Sequence, residues 1–356
     1  MSSTNPTTRF AWVDAVRGAC VLAVVLLHFC LSGFYPYTWG TRTADAWTVV
    51  NDLMTAVRMP TLFAISGFLL ASRIRNGWND SRTRFSAVHT YYLYVVWLLI
   101  YALVSPWFAT GVQPLTSLSG WMGLASQLVN PHTMLWFLLG LVFWTVVLAT
   151  LRPIPAWLVL PALFIVSMLS FEIEWSTQQD FYIRILRYGF YFGVGVYLRP
   201  IVAKLINERL WWTVAGSALV FVGMRFLLSV ERSLEFPLEI FAPLRDLAAV
   251  GLAMSVVAAV VHCIAPARRS LSWIGARTLP IYVLHSLVIW SLVKIPGWAA
   301  LVRIPVHKHI APALWTILVA LACIGIYSVI QRTPARYVFD MPRKWRSALR
   351  NEKNAV

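Results

Sequence analysis

The chain has 356 residues, 59% hydrophobic and 12% charged, with a net charge of +16. A soluble domain averages about 25% charged residues, so this composition sets aside a soluble fold and describes a polytopic membrane protein. The positive charge would suggest nucleic acid in a soluble protein, but no basic–aromatic interleaving on a soluble module accompanies it, and no nucleic-acid partner is expected.

In chain order the apolar runs predict ten spans, near 12–33, 49–72, 88–109, 132–151, 155–171, 182–198, 210–229, 244–264, 272–293 and 311–331. The first, WVDAVRGACVLAVVLLHFCLSGF, carries Asp14, Arg17 and His28. It is too long and too polar for a cleavable signal and lacks a small-residue cleavage site. The second carries Asn51, Asp52 and Arg58, then Met59-Pro60, where a kink is expected. From Phe85 to Leu151 there is no Asp, Glu, Lys or Arg, which leaves room for two spans of about 20 residues. The stretch 115–130 reads as a half-inserted or surface segment, and Pro153 and Pro155 as a tight turn. Cys20, Cys30, Cys263 and Cys323 all fall in apolar runs. Their spacing fits no metal site, and they read as small buried hydrophobes.

The positive-inside rule orients these spans. With the N-terminus inside, nineteen of the thirty Lys and Arg fall in cytoplasmic segments and six in outer loops. The expected architecture is all-α, with about ten transmembrane helices and both termini inside. One membrane domain occupies 1–340, followed by a basic cytoplasmic tail at 341–356. The expected location is the plasma (inner) membrane, crossed many times.

Ionisable groups inside a span are costly and point to function by default. Arg17 and His28 are eleven residues apart, so they share a helix face, and Asp14 is placed to pair with Arg17. Helix rise puts His28, Arg58 and His285 about 24, 21 and 20 Å above the inner ends of their spans, near one level. The bland reading of His285 is a buried ring satisfying a neighbouring carbonyl. Ser66 shares a face with Arg73, and Arg73, Arg75, Arg82 and Arg84 end the second span and its loop. These arginines either set topology or hold a polyphosphate such as coenzyme A, since guanidinium grips phosphate oxygens in pairs. Arg184 and Arg187 open the sixth span and either face a polar acceptor or pair locally. His89 and Tyr92 open the third span, where an interfacial aromatic belt is the default.

VDAVRGACVLAVVLLH resembles the first-helix signature of the acyltransferase-3 family of integral-membrane O-acyltransferases, and MPTLFAISGFLLASRIR resembles its second-helix segment. LWFL at 135–138 and IYVLH at 281–285 resemble two weaker motifs, and the AWVD opening is similar to the sugar O-acetylase branch. The entry to the third helix, RTRFSAVHTYYLYVV, departs from the family pattern in having no proline. The resemblance implies transfer of an acetyl group from cytoplasmic acetyl-CoA to a hydroxyl of an envelope glycan or glycolipid, with no metal. His28 would act as general base or as an acyl carrier, and Arg17 or Arg58 would stabilise the oxyanion. Arg73 and Arg75, with Ser66, would hold the donor, and His285, Arg184 and Arg187 would meet the acceptor. Membrane lipids and an envelope-synthesis or export partner are the expected associates. Some relatives carry a fused hydrolase-like domain. None is present in these 356 residues, so acceptor delivery is expected at the membrane domain or through a partner. The competing class is a transporter or flippase for a lipid-linked sugar.

Overall fold

The computed structural model describes residues 11–108, 115, 117–173, 181–231, 241–342 and 344–347. Among them there are helices and turns and no strands, so the all-α expectation holds. The tail expected at 341–356 lies mostly outside the described residues.

The first span is α1 (Ala11–Phe29), which continues through a π-helical turn, Cys30–Phe34, into α2 (Tyr35–Thr38). α3 (Arg42–Leu53) begins at Thr41, whose hydroxyl accepts from the Ala44 amide at 3.2 Å. α4 (Thr55–Asn76) follows after a break at Met54. The kink expected at Met59-Pro60 is therefore displaced, with Pro60 inside α4. An interior proline removes one ladder hydrogen bond and crowds the turn before it. Arg58 spans the break at Met54, donating to Asn51 Oδ1 of α3 at 2.9 Å and Thr55 Oγ1 of α4 at 3.1 Å.

α5 (Ser81–Val104) is capped by Asp80, which accepts from the Arg82 amide at 2.9 Å. α6 (Leu118–Gln127) is a ten-residue helix inside the stretch read as half-inserted. Its end reaches the middle of α5, where the Tyr94 hydroxyl donates to the Gln127 carbonyl. α7 (Trp136–Thr150) and α8 (Ala156–Glu172) join through the Pro153–Pro155 turn, closed by Ile154 N–H donating to Leu151 O at 2.9 Å. Then come α9 (Phe181–Tyr197), α10 (Arg199–Glu208), α11 (Leu210–Glu231), α12 (Ala242–Cys263), α13 (Ala265–Gly275), α14 (Thr278–Val293), α15 (Trp298–Arg303) and α16 (His307–Ile330).

Each of the ten predicted runs holds an apolar helix. Six helical stretches are long and apolar enough to cross a membrane alone, and eight if each of two bent pairs is one span. α7 and α8 are shorter apolar helices. The sixth run coincides with α9, which meets α10 at 72° just beyond its end, whereas the ninth run is bent, because α13 and α14 meet at 76° within it. A straight ninth span would put His285 thirteen residues above its end. With α14 starting at Thr278 it stands only seven above.

Glycine contacts set the helix spacing. A Cβ on Gly67 of α4 would lie 2.1 Å from Phe192 O of α9, and one on Gly195 of α9 would lie 2.0 Å from Ala64 O of α4. The same contact joins α1 to α13, where a Cβ on Gly18 would lie 2.3 Å from Leu271 O. Small residues let membrane helices approach backbone to backbone. The interior is aromatic, with Trp97, Tyr94, Tyr101, Tyr191, Phe29, Phe34 and Phe63 all fully buried. Cys20, Cys30 and Cys323 are buried as expected, whereas Cys263 is exposed because it ends α12.

Candidate active site

α1 and α14 run side by side, and two pairs of polar residues face each other across them. At the end that carries the start of α1, the Arg17 guanidinium donates to Thr278 Oγ1 at 2.6 Å. Asp14, buried and one turn back, pairs with Arg17 at 3.6 Å. Deeper along the helices, the His28 and His285 rings lie 5.0 Å apart. The two levels are eleven residues apart on α1 and seven on α14, which is about 16 and 10 Å of helix.

His285 is fully buried, and its Nδ1 lies 2.7 Å from Tyr282 O and 3.2 Å from Ile281 O. A carbonyl only accepts, so Nδ1 carries the hydrogen and the neutral ring keeps its lone pair on Nε2. Ser286 Oγ lies 3.2 Å from that Nε2 and donates to Met134 Sδ at 2.7 Å. His28 keeps part of its surface accessible and sits two residues before the π-helical turn, a distortion common at functional sites. Arg58 and Arg184 are within electrostatic reach of His28. Arg58 is buried, with Asn51 and Thr55 fixing its guanidinium. Phe63, Trp136, Phe137, Tyr188 and Tyr282 wall this level. Phe63 stacks on Tyr188 at 5.4 Å, Phe137 meets Tyr282 edge-on at 5.5 Å, and Tyr282 lies 6.1 Å from His285.

A cavity of about 240 Å³ opens at the Arg17 level, and neither His28 nor His285 is among its lining residues. Arg17, Ser66, His89, Thr278, Phe137 and Tyr282 are among the residues that line it. Tyr282 also touches His285, so one ring separates the cavity from the histidine pair. Arg73 lies on the same side of α4 as Ser66 and reaches Ser86 Oγ of α5 at 3.4 Å. Arg75, two residues on, is turned about 200° around the helix. It lines a separate cavity with Arg152 and Tyr197. The two arginines expected to act together are thus parted by helix geometry.

Arg187 is tied up locally. It donates to Ser170 O near the end of α8 at 2.6 Å and lies 4.1 Å over the Phe171 ring. A cation at a helix C-terminus offsets the dipole there. Arg184 lies 4.9 Å over the Phe181 ring and within electrostatic reach of His28. His89 and Tyr92 dock the C-terminal segment, His89 with Asp340 at 3.4 Å and Tyr92 with Tyr337 O at 2.9 Å. A larger cavity of about 440 Å³, lined by Trp12, Glu208, Trp211, His262 and Arg268 among others, contains none of the predicted site residues.

Sequence reasoning missed Thr278, Tyr282, Ser286, Tyr188 and the Met134 loop. Thr278 was accessible in principle, because it stands seven residues before His285 on one helix face. The Met134 loop carries no periodic signal.

The sequence model of one family, described as an acyltransferase domain, matches residues 10–332. The chain belongs to the acyltransferase-3 family. The match spans both helices that carry the polar pairs and all the lining residues of the cavity, so this protein is a membrane acyltransferase. No curated protein and no solved structure matches the chain.

Proposed function

We propose that this acyltransferase moves an acetyl group from acetyl-CoA, entering from the cytoplasmic side, to a hydroxyl of an envelope glycan or glycolipid. The observation that carries the reading is the cavity that starts beside Arg17 and ends one ring short of His28 and His285. Its mixed lining suits a donor that is polar at one end and narrow and apolar along its arm. Positive-inside counting places the Arg17 end in the cytoplasm, with ten spans and both termini inside. Arg17, Ser66 and Arg73 then line the donor's route, and coenzyme A supplies an activated thioester there.

His28 takes the proton from the acceptor hydroxyl as that oxygen bonds to the thioester carbonyl carbon. Arg58, held by Asn51 and Thr55, faces the oxyanion that forms. Arg17 is the weaker oxyanion partner, because it sits at the other level, bonded to Thr278. When the carbon–sulfur bond breaks, His28 returns the proton to the departing thiolate. His285 fixes the His28 ring from one side, and Arg184 lies where an acceptor would approach.

The test uses purified protein and acetyl-labelled acetyl-CoA with extracted envelope glycans. Label should appear in ester linkage on the acceptor. His28→Ala should lower turnover by about 10²–10⁴-fold, the usual contribution of a positioned base, while the protein elutes as a single species. Wild-type turnover in that variant would remove the base assignment. A donor that stays intact with every acceptor fraction would favour the transporter reading. Comparing envelope glycans of deletion and parent cells by mass spectrometry would identify the acceptor by its missing acetyl group.

A further inference from the structure

The second cavity beside α4 has a volume of about 330 Å³ and is lined by Arg75, Leu148, Arg152, Ile154, Ala156 and Tyr197 among others. Among the described residues no carboxylate lines it. The Tyr197 hydroxyl is buried and has no hydrogen-bond partner among the described residues, and Arg75 is within electrostatic reach of it. Ala156 opens α8, where the Ala156 and Trp157 amides precede the first hydrogen bond, from Leu158 N–H to Pro155 O at 3.0 Å, and favour an anion. Two guanidinium groups, a phenol donor and a helix N-terminus thus converge on one space, and each of them is complementary to negative charge.

The surrounding chain holds Arg152 in place. Gly77 ends α4 with φ +71°, and a Cβ there would stand 2.8 Å from Arg152 Cδ. Trp78 Nε1 donates to Thr150 Oγ1 at 3.0 Å, fastening this turn to the end of α7. The adjoining surface is apolar and open, with Ile154, Trp157 and Leu158 40%, 71% and 47% exposed. A polar, cationic pocket beside exposed apolar side chains matches a phospholipid, with headgroup in the pocket and acyl chains along α8.

We infer that Arg75, Arg152 and Tyr197 form a phosphate site for an anionic phospholipid of the leaflet that meets this face, separate from the donor cavity. Basic pockets between spans on the cytoplasmic side bind such headgroups. The leaflet assignment rests on the orientation in the proposed function, but lipid retention does not depend on catalysis.

Native mass spectrometry of full-length protein from nanodiscs of equal phosphatidylglycerol and phosphatidylcholine tests this. The wild type should retain phosphatidylglycerol in preference. Arg152→Gln should reduce that preference about fivefold, the order expected for one basic residue at an anionic surface. Arg75→Gln with Arg152→Gln should abolish it, with elution unchanged. Arg73→Gln should leave it intact. Equal retention of the two lipids, or no effect of the double change, overturns the site. Displacement of the lipid by inorganic phosphate or by coenzyme A alone would make it a soluble-anion site and overturn the lipid assignment. A raised KM for acetyl-CoA in Arg152→Gln, with lipid retention unchanged, would return the pocket to the donor.

Discussion

Gly275→Ala tests whether the α1–α13 contact holds the Arg17 end of the site in register. A Cβ on Gly275 would stand 1.7 Å from the carbonyl oxygen of Asp14 and 3.1 Å from its Cα. Carbon–oxygen contacts settle at about 3.3–3.6 Å, so the two backbones must separate by roughly 1.5–2 Å. Overpacking of this kind costs about 1–3 kcal/mol. Asp14 lies one turn before Arg17, and Gly275 three residues before Thr278. The separation therefore acts directly on the 2.6 Å Arg17–Thr278 hydrogen bond and carries it beyond hydrogen-bond range. The variant should melt at lower temperature in detergent, and its KM for acetyl-CoA should rise. Gly216→Ala in α11 is the control, because a Cβ there meets nothing within 4 Å. It should be neutral or slightly stabilising. A Gly275→Ala protein with wild-type melting and KM would refute the claim that this contact sets the site.

Two further outcomes follow from the geometry. Thr278→Val keeps the shape but removes the acceptor for Arg17, so KM for acetyl-CoA should rise while melting changes little. An unchanged KM in a kinetic titration would detach Thr278 from donor binding. Asp80→Ala removes the cap of α5 and should destabilise the α4–α5 turn by about 0.5–1 kcal/mol, at the low end for caps because the site is exposed. Arg82 and Asn76 hold the Asp80 carboxyl below the usual carboxylate range. The cap is therefore complete above the unfolded carboxylate pKa of about 3.9 and is lost only as acid titrates the folded group. Thermal melts of both proteins at neutral and acid pH read this. A gap that closes already near pH 6 would contradict it.

The apolar runs and the polar residues inside them were legible because membrane insertion leaves few alternatives. His28 and His285 come within ring contact at one level, as the depth count on separate helices anticipated. That count assumed straight spans, and it gave His285 the right neighbour from a wrong distance, because α13 turns away at 76°. Arg73 and Arg75 look like one cluster along the chain, yet Arg73 reaches Ser86 of α5 while Arg75 lines the cavity with Arg152. Helical periodicity already implies that separation. Arg187 shows the opposite limit: a helix end brought beside it by tertiary packing absorbs its charge, and no local pattern announces this. The loop carrying Met134 to Ser286 and Tyr282 was equally hidden, since irregular backbone at depth is tolerated only where protein surrounds it.

The donor route is tested most directly by a coenzyme A thioester with a photoreactive group at the end of its acyl chain, crosslinked to the purified protein and mapped by peptide mass spectrometry. If the route is the cavity beside Arg17, adducts should fall on Phe137, Tyr282 and the turn around His28, and unlabelled acetyl-CoA should suppress them. Adducts concentrated instead on Trp211 and His262, in the larger cavity on the other side of α1, would contradict it.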